Sequence, residues 1–198
     1  MEERFLPHLS DAARRILQLN AEAAYAKLVP QASSASAEVR AILAGMSPVD
    51  VLAGRVASMD DAACVLAGLW LWHDGLEESH HLSQNIKTPS GSYWHAIMHR
   101  REGDFWNSKY WLNRCPEHPA FHTIALEVAR IINARRNADP RLIRLTLGDW
   151  NPHAFVDLVE AVVQQSDETV LPVVVELQRA EWRGLMTHGV AAAAGRPL

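Results

Sequence analysis

An all-α fold, a single bundle of about six to eight helices with a central antiparallel helical hairpin, follows from three observations on the 198-residue chain. Apolar residues recur at helical spacing through most of its length, helix-capping residues stand where those runs begin, and neither an internal repeat nor a regular train of strands interrupts them. With 48% hydrophobic and 21% charged residues the composition is that of an ordinary globular protein, and a chain of this length forms one core by default. One domain over residues 1–198 is therefore expected.

The elements follow in order. Ser10 caps an amphipathic run that Pro30 ends, and Ser36 caps a short helix that Gly45 stops. Ser58, with Asp61 three residues later, has the form of a capping box and opens the longest helical run, about 59–85. The turn residues of KTPSGS separate it from a second helix, capped by Ser92 and stopped by Gly103. A helix over 104–114 should follow, then one restarted at Pro119 and running to about 134. Residues 139–150 fit either a short helix or an extended segment. Asn151 and Pro152 open a helix to about 165, a last one spans about 169–188, and the tail from 190 is expected to fray.

A net charge of -4 argues against a nucleic-acid or anionic-membrane partner, which would require a basic excess. The opening residues MEERFLPHLSDAARR lack the apolar stretch of a secretory signal, and the longest apolar run, 62–72, is far short of the roughly 20 residues of a membrane span. A cytoplasmic location and free thiols at Cys64 and Cys115 are expected. No P-loop, dinucleotide, α/β-hydrolase or zincin motif is present.

The unusual counts are 10 His and 7 Trp, concentrated in the block from about 69 to 122. On one helix, His73, Glu77, His80 and Gln84 fall within roughly 60° of each other, a polar stripe that continues the sector of Leu66, Leu69 and Trp70. The next helix carries His95, His99 and Glu102 along one face. A short connection makes such helices antiparallel neighbours, which sets His80 and Gln84 level with His95 and His99. Converging imidazoles and carboxylates are the material of a bundle metal site, and nitrogen and oxygen donors without a cysteine pattern suit Zn, Fe, Mn or Ni. His73, Glu77, His80, His95 and His99 are thus the expected ligands, with Glu77, His80 and His99 closest to the chemistry.

The remaining histidines read more simply: His81 as surface, His118 as a helix cap, and His122 as an ordinary buried side chain, with a ligand from a third helix as its alternative. Arg100, Arg101, Lys109 and Arg114 interleave with Tyr110 and Trp111, a mixture of guanidinium forks and flat rings suited to an anionic small molecule. Arg101, Lys109, Tyr110, Trp111 and Arg114 are the expected substrate-binding residues, with local ion pairs to Asp104 or Glu102 as the plainer reading of the arginines.

The block WHDGLEESHHLSQNIKTPSGSYWHAIMHRREGDFWNSKYW resembles a family of uncharacterised bacterial proteins sharing the succession W-H-D, S-H, G-S-Y-W-H-x-x-M-H-R-R-E and K-Y-W. The resemblance covers residues 69–114 and implies no activity, cofactor or catalytic position. The residues themselves point to a metal-dependent enzyme, a hydrolase, lyase or oxygen-activating protein, acting on a small polar anion, with a homo-oligomer left open. The rivals are a metal-free enzyme or binding protein using the same pocket, a haem-binding bundle with Met98 beside the histidines, and a helical protein whose Trp-rich surface binds a partner.

Overall fold

A computed structural model describes residues 4–197 and is all-helical, with ten α-helices and no strand among the described residues. The first half comprises α1 (Asp11–Gln18), α2 (Ala37–Ala44), α3 (Met59–Trp72), α4 (Leu76–Ser83) and α5 (Pro89–Glu102). The second comprises α6 (Phe105–Leu112), α7 (Ala120–Asn133), α8 (Pro140–Ile143), α9 (Pro152–Gln165) and α10 (Leu171–Ala194). The helical bundle expected from periodicity is present, divided into more pieces than the six to eight expected.

The caps explain most of the starts. Ser10, Ser36 and Ser58 each accept a hydrogen bond from the backbone N–H three residues on, and Asp104 and Asn151 do the same for α6 and α9. At α5 the cap is Thr88, whose hydroxyl accepts from the Gly91 N–H, and not Ser92, because Pro89 supplies a preformed first turn four residues earlier than expected. Gly103 ends α5 with φ +89°, a conformation that other residues adopt at a cost.

Two helices are buried on nearly every side. In α3 the run Cys64 to Trp72 and in α5 the run Ser90 to Arg101 lie inside, so neither has a solvent face of its own. The long α10 packs along α3 and α7, while α4 and α6 flank α5, and α9 covers α6. Gly68 permits the closest approach at the centre, since a Cβ there would lie 2.8 Å from Met186 Sδ and from the Trp94 ring. The Trp182 indole donates to Gly68 O at 2.9 Å across the same contact.

Two expectations are corrected and one open alternative is settled. The single helix over 59–85 is broken at His73, Asp74 and Gly75, where Asp74 takes a left-handed φ of +60°. The tail does not fray at 190: α10 continues to Ala194 with Val190 and Ala193 buried. Residues 139–150 resolve into α8 and a 3-10 turn over Arg144–Thr146. No helix among the described residues is long and apolar enough to cross a membrane, and Cys64 and Cys115 are free and buried.

Candidate metal centre

The hairpin of α4 and α5 assembles three imidazoles. His80 comes from α4, and His95 and His99 come from successive turns of α5. One ring nitrogen of each lies within 4.8 Å of the others. The register is antiparallel, since Ser83 meets His95 while His80 reaches both His95 and His99. His95 is 2% and His99 8% exposed, whereas His80 is half-buried and forms the open side.

The hydrogen bonds around the pair on α5 favour one placement of its protons. Ser83 Oγ has one hydrogen and donates it to Ser79 O at 2.8 Å. With that hydrogen engaged it accepts from His95 Nδ1, 3.3 Å away, in the tautomer that carries the proton on that nitrogen. His99 Nδ1 lies 3.2 Å from Glu102 Oε2 and donates to that carboxylate. Both outer nitrogens being protonated, the neutral rings turn two bare lone pairs toward each other, and the two Nε2 atoms stand 3.0 Å apart. Lone pairs so placed repel unless a cation or a shared proton sits between them.

Burial opposes the proton. It pushes His95 down to about 3, with the charges of His99 and then His80 adding to the effect. Burial also lowers His99, against the pull of the Glu102 hydrogen bond and charge. Two imidazoles, His95 and His99, with outer nitrogens held by a hydroxyl and a carboxylate have the arrangement by which proteins orient histidine ligands.

Other expected site residues lie elsewhere. His73, turned aside by the break after α3, is fully buried with Nε2 donating to Ile16 O at 2.8 Å, so the four-histidine set contracts to three. Glu77 is exposed on α4 and outside the group, and Gln84 is exposed where Ser83 faces inward. Arg101 is 0% exposed and points into the core, where it bonds Asp74, Leu71 O and Lys27 O. Its neighbour Arg100 pairs with buried Glu181. Lys109 is engaged by Asp157 at 2.6 Å and Glu160 at 3.2 Å on α9.

Trp111 lies beside the cluster, with Tyr110 and Arg114 packed against it. The Trp111 ring lies 4.1 Å from His95, centroid to centroid, and the Arg114 guanidinium stacks over Tyr110 at 4.0 Å and Trp111 at 5.0 Å. No carboxylate among the described residues pairs with Arg114. Ser83 was not among the expected site residues, whereas Glu102 was placed on the His95–His99 face by its spacing but not among the expected ligands. His118 does act at a helix start, accepting from the Ala120 N–H through Nδ1, while His122 is exposed rather than buried.

A separate cleft of about 620 Å³ opens between the α6–α7 connection and the start of α9, with His118, Phe121, His122, Trp150 and His153 in its walls. Its size suits a small molecule. None of His80, His95 and His99 lines it, so this cleft and the histidine cluster are at different places, and the ligand geometry of the histidines is the stronger functional signal. No family profile, curated protein or solved structure matches this chain.

Proposed function

We propose that His80, His95 and His99 hold a divalent transition metal and that the protein is a metal-dependent enzyme acting on a small, polar, anionic substrate. The observation that carries this reading is the pair of opposed Nε2 lone pairs at 3.0 Å, each on a ring whose other nitrogen is already committed to a hydrogen bond. A cation between them resolves the repulsion and recruits His80, whose ring centroid is 4.7 Å from that of His95.

Three protein ligands leave coordination positions for water and substrate, the mark of a catalytic rather than a structural site. All-nitrogen ligation without thiolate suits Zn, Fe, Mn or Ni. Such an ion polarises a substrate oxygen or generates hydroxide from water near neutral pH, which supports hydrolysis or lyase chemistry, while a redox-active ion opens oxygen activation. Glu102, joined to His99, takes the carboxylate role expected of Glu77. It orients the ligand and is placed to accept a proton. On the substrate side, Arg114 is the guanidinium left for an anion, with Trp111 and Tyr110 as a flat wall, because Lys109 and Arg101 are engaged elsewhere.

The same 3.0 Å contact favours one rival, a metal-free histidine pair sharing a proton. Metal analysis of protein expressed in replete medium separates the two. About one ion per chain, lost in both His80→Ala and His99→Ala, supports the metal reading, and chelator-insensitive metal-free protein overturns it.

A further inference from the structure

The junction between α3 and α4 carries an aspartate where helices usually place glycine. The Asp74 N–H donates to Leu71 O at 3.0 Å and the Gly75 N–H to Trp70 O at 2.9 Å, the paired bonds of a Schellman turn. The residue between cap and exit in that motif is left-handed, and Asp74 occupies it with φ +60°. Glycine would sit there without strain. What aspartate adds is a carboxylate.

That carboxylate is buried and accepts from Arg101 Nη2 at 2.5 Å. The same guanidinium donates through Nη1 to Leu71 O at 2.7 Å, the carbonyl that already receives the Asp74 N–H, and through Nη2 to Lys27 O at 3.0 Å. Its plane lies 3.8 Å over the Tyr25 ring. Arg101 therefore grips the turn itself, through both its backbone and its one acidic side chain. It stands on α5 two residues after His99, and the turn it grips leads directly into α4, which carries His80.

Of the eight residues of α4 only Ser79 and Ser83 are buried, and its leucines Leu76 and Leu82 pack against the core only partly buried. Its far end is set by the short turn into α5, so the near end decides where His80 stands relative to His95 and His99. A buried ion pair is weak evidence for stability, since apolar replacements often serve as well, but its directional bonds do select one geometry over others. We propose that Asp74 and Arg101 are positioning residues of the trihistidine site, a staple that fixes the angle between α4 and α5 so that His80 completes the ligand set. This inference rests on the metal reading given under Proposed function.

The adjacent pair Arg100–Glu181 supplies the control. It is equally buried and on the same helix, but it ties α5 to α10 and does not touch the α3–α4 turn. The test uses the full chain, titrated with Co²⁺, reading the visible d–d bands and the affinity, with helicity and Tm measured alongside. Wild-type protein that binds no Co²⁺ overturns the metal reading and the staple with it. If wild type binds, Asp74→Gly, which keeps the left-handed turn and removes the carboxylate, is expected to stay helical with a lowered Tm, since it leaves the Arg101 charge unpaired, while losing about tenfold or more in affinity, with altered bands. Asp74→Asn, which keeps one acceptor for Arg101, is expected to fall between, and Glu181→Gln to lower Tm with the bands unchanged. Wild-type bands and affinity in a folded Asp74→Gly or Asp74→Asn protein, or an equal spectral change in Glu181→Gln, overturn the staple while leaving the metal site standing.

Discussion

His95 and His99 point their Nε2 atoms at each other across 3.0 Å, and the outer nitrogen of each ring faces a hydrogen-bond partner of its own. Ser83 holds one outer nitrogen and Glu102 the other. The consequence is an electrostatic hole between two neutral rings, in a place where burial opposes filling it with a proton.

The outer partners should therefore govern metal affinity without being ligands. Ser83→Ala frees His95 Nδ1 from its acceptor, and Glu102→Gln weakens the hold on His99. Each is expected to cost about 10- to 100-fold in metal affinity with the helical content unchanged. Isothermal titration with Zn²⁺ measures this, and affinities equal to wild type would show that these contacts orient nothing.

The three basic residues first expected at the substrate should behave differently from one another. Arg114→Ala is expected to weaken binding of small carboxylates or phosphate esters to the metal-loaded protein, with Tm nearly unchanged, since its partners are Tyr110 and Trp111 on the surface. Lys109→Ala should cost stability by no more than about 1 kcal/mol, as expected of a half-exposed ion pair, and leave anion binding alone. Arg101→Ala should destabilise strongly, because it strands the buried Asp74 carboxylate. Anion titrations and thermal melts on the three variants give the comparison. Equal anion binding by wild type and Arg114→Ala would remove Arg114 from the substrate site.

Acid should unfold the protein through its buried histidines. Burial first, and His188 beside it second, push His118 down to about 3. The unfolded chain has an ordinary value near 6.5, so between about 6.5 and 3 it binds the proton that the folded state refuses. Stability from this group is therefore complete above about pH 6.5 and falls as the pH drops through that window. His118 faces Ser90, Tyr93, Phe121 and His188, and among the described residues no carboxylate is in direct contact to rescue the charged form. His118→Gln, which can keep the Ser90 hydrogen bond, is expected to show a shallower loss of stability between pH 7.5 and 5 in denaturant titrations under chelator. A slope as steep as wild type would contradict the assignment.

The helical character of the chain was legible because caps and periodicity agree at most elements, as at Ser10, Ser36, Ser58 and Asn151. The break at Asp74 was not. Its local signal is a non-glycine residue in a left-handed turn, held there by Arg101 from 27 residues away, and no local pattern encodes such a partner. That one break accounts for the main error at the site. It carries His73 inward to Ile16 and rotates the stripe so that Ser83, not Gln84, faces His95. His80, His95 and His99 survived because His80 lies beyond the break on the hairpin itself, and the i, i+4 pair on α5 depends on nothing but helical geometry. The arginines misled for a related reason. Arg100 and Arg101 look like surface forks in sequence, and only the packing of α10 and the α3–α4 turn around α5 turns them into core groups.

The most direct test of the trihistidine site is X-ray absorption at the metal edge on protein purified from replete expression, combined with elemental analysis. The expected result is about one transition-metal ion per chain with a shell of nitrogen and oxygen only, near 2.0–2.1 Å, showing the multiple scattering of about three imidazoles that drops to two in His80→Ala. Protein that carries no ion and takes none up, or a bound ion whose imidazole signal is unchanged in His80→Ala, would contradict the account.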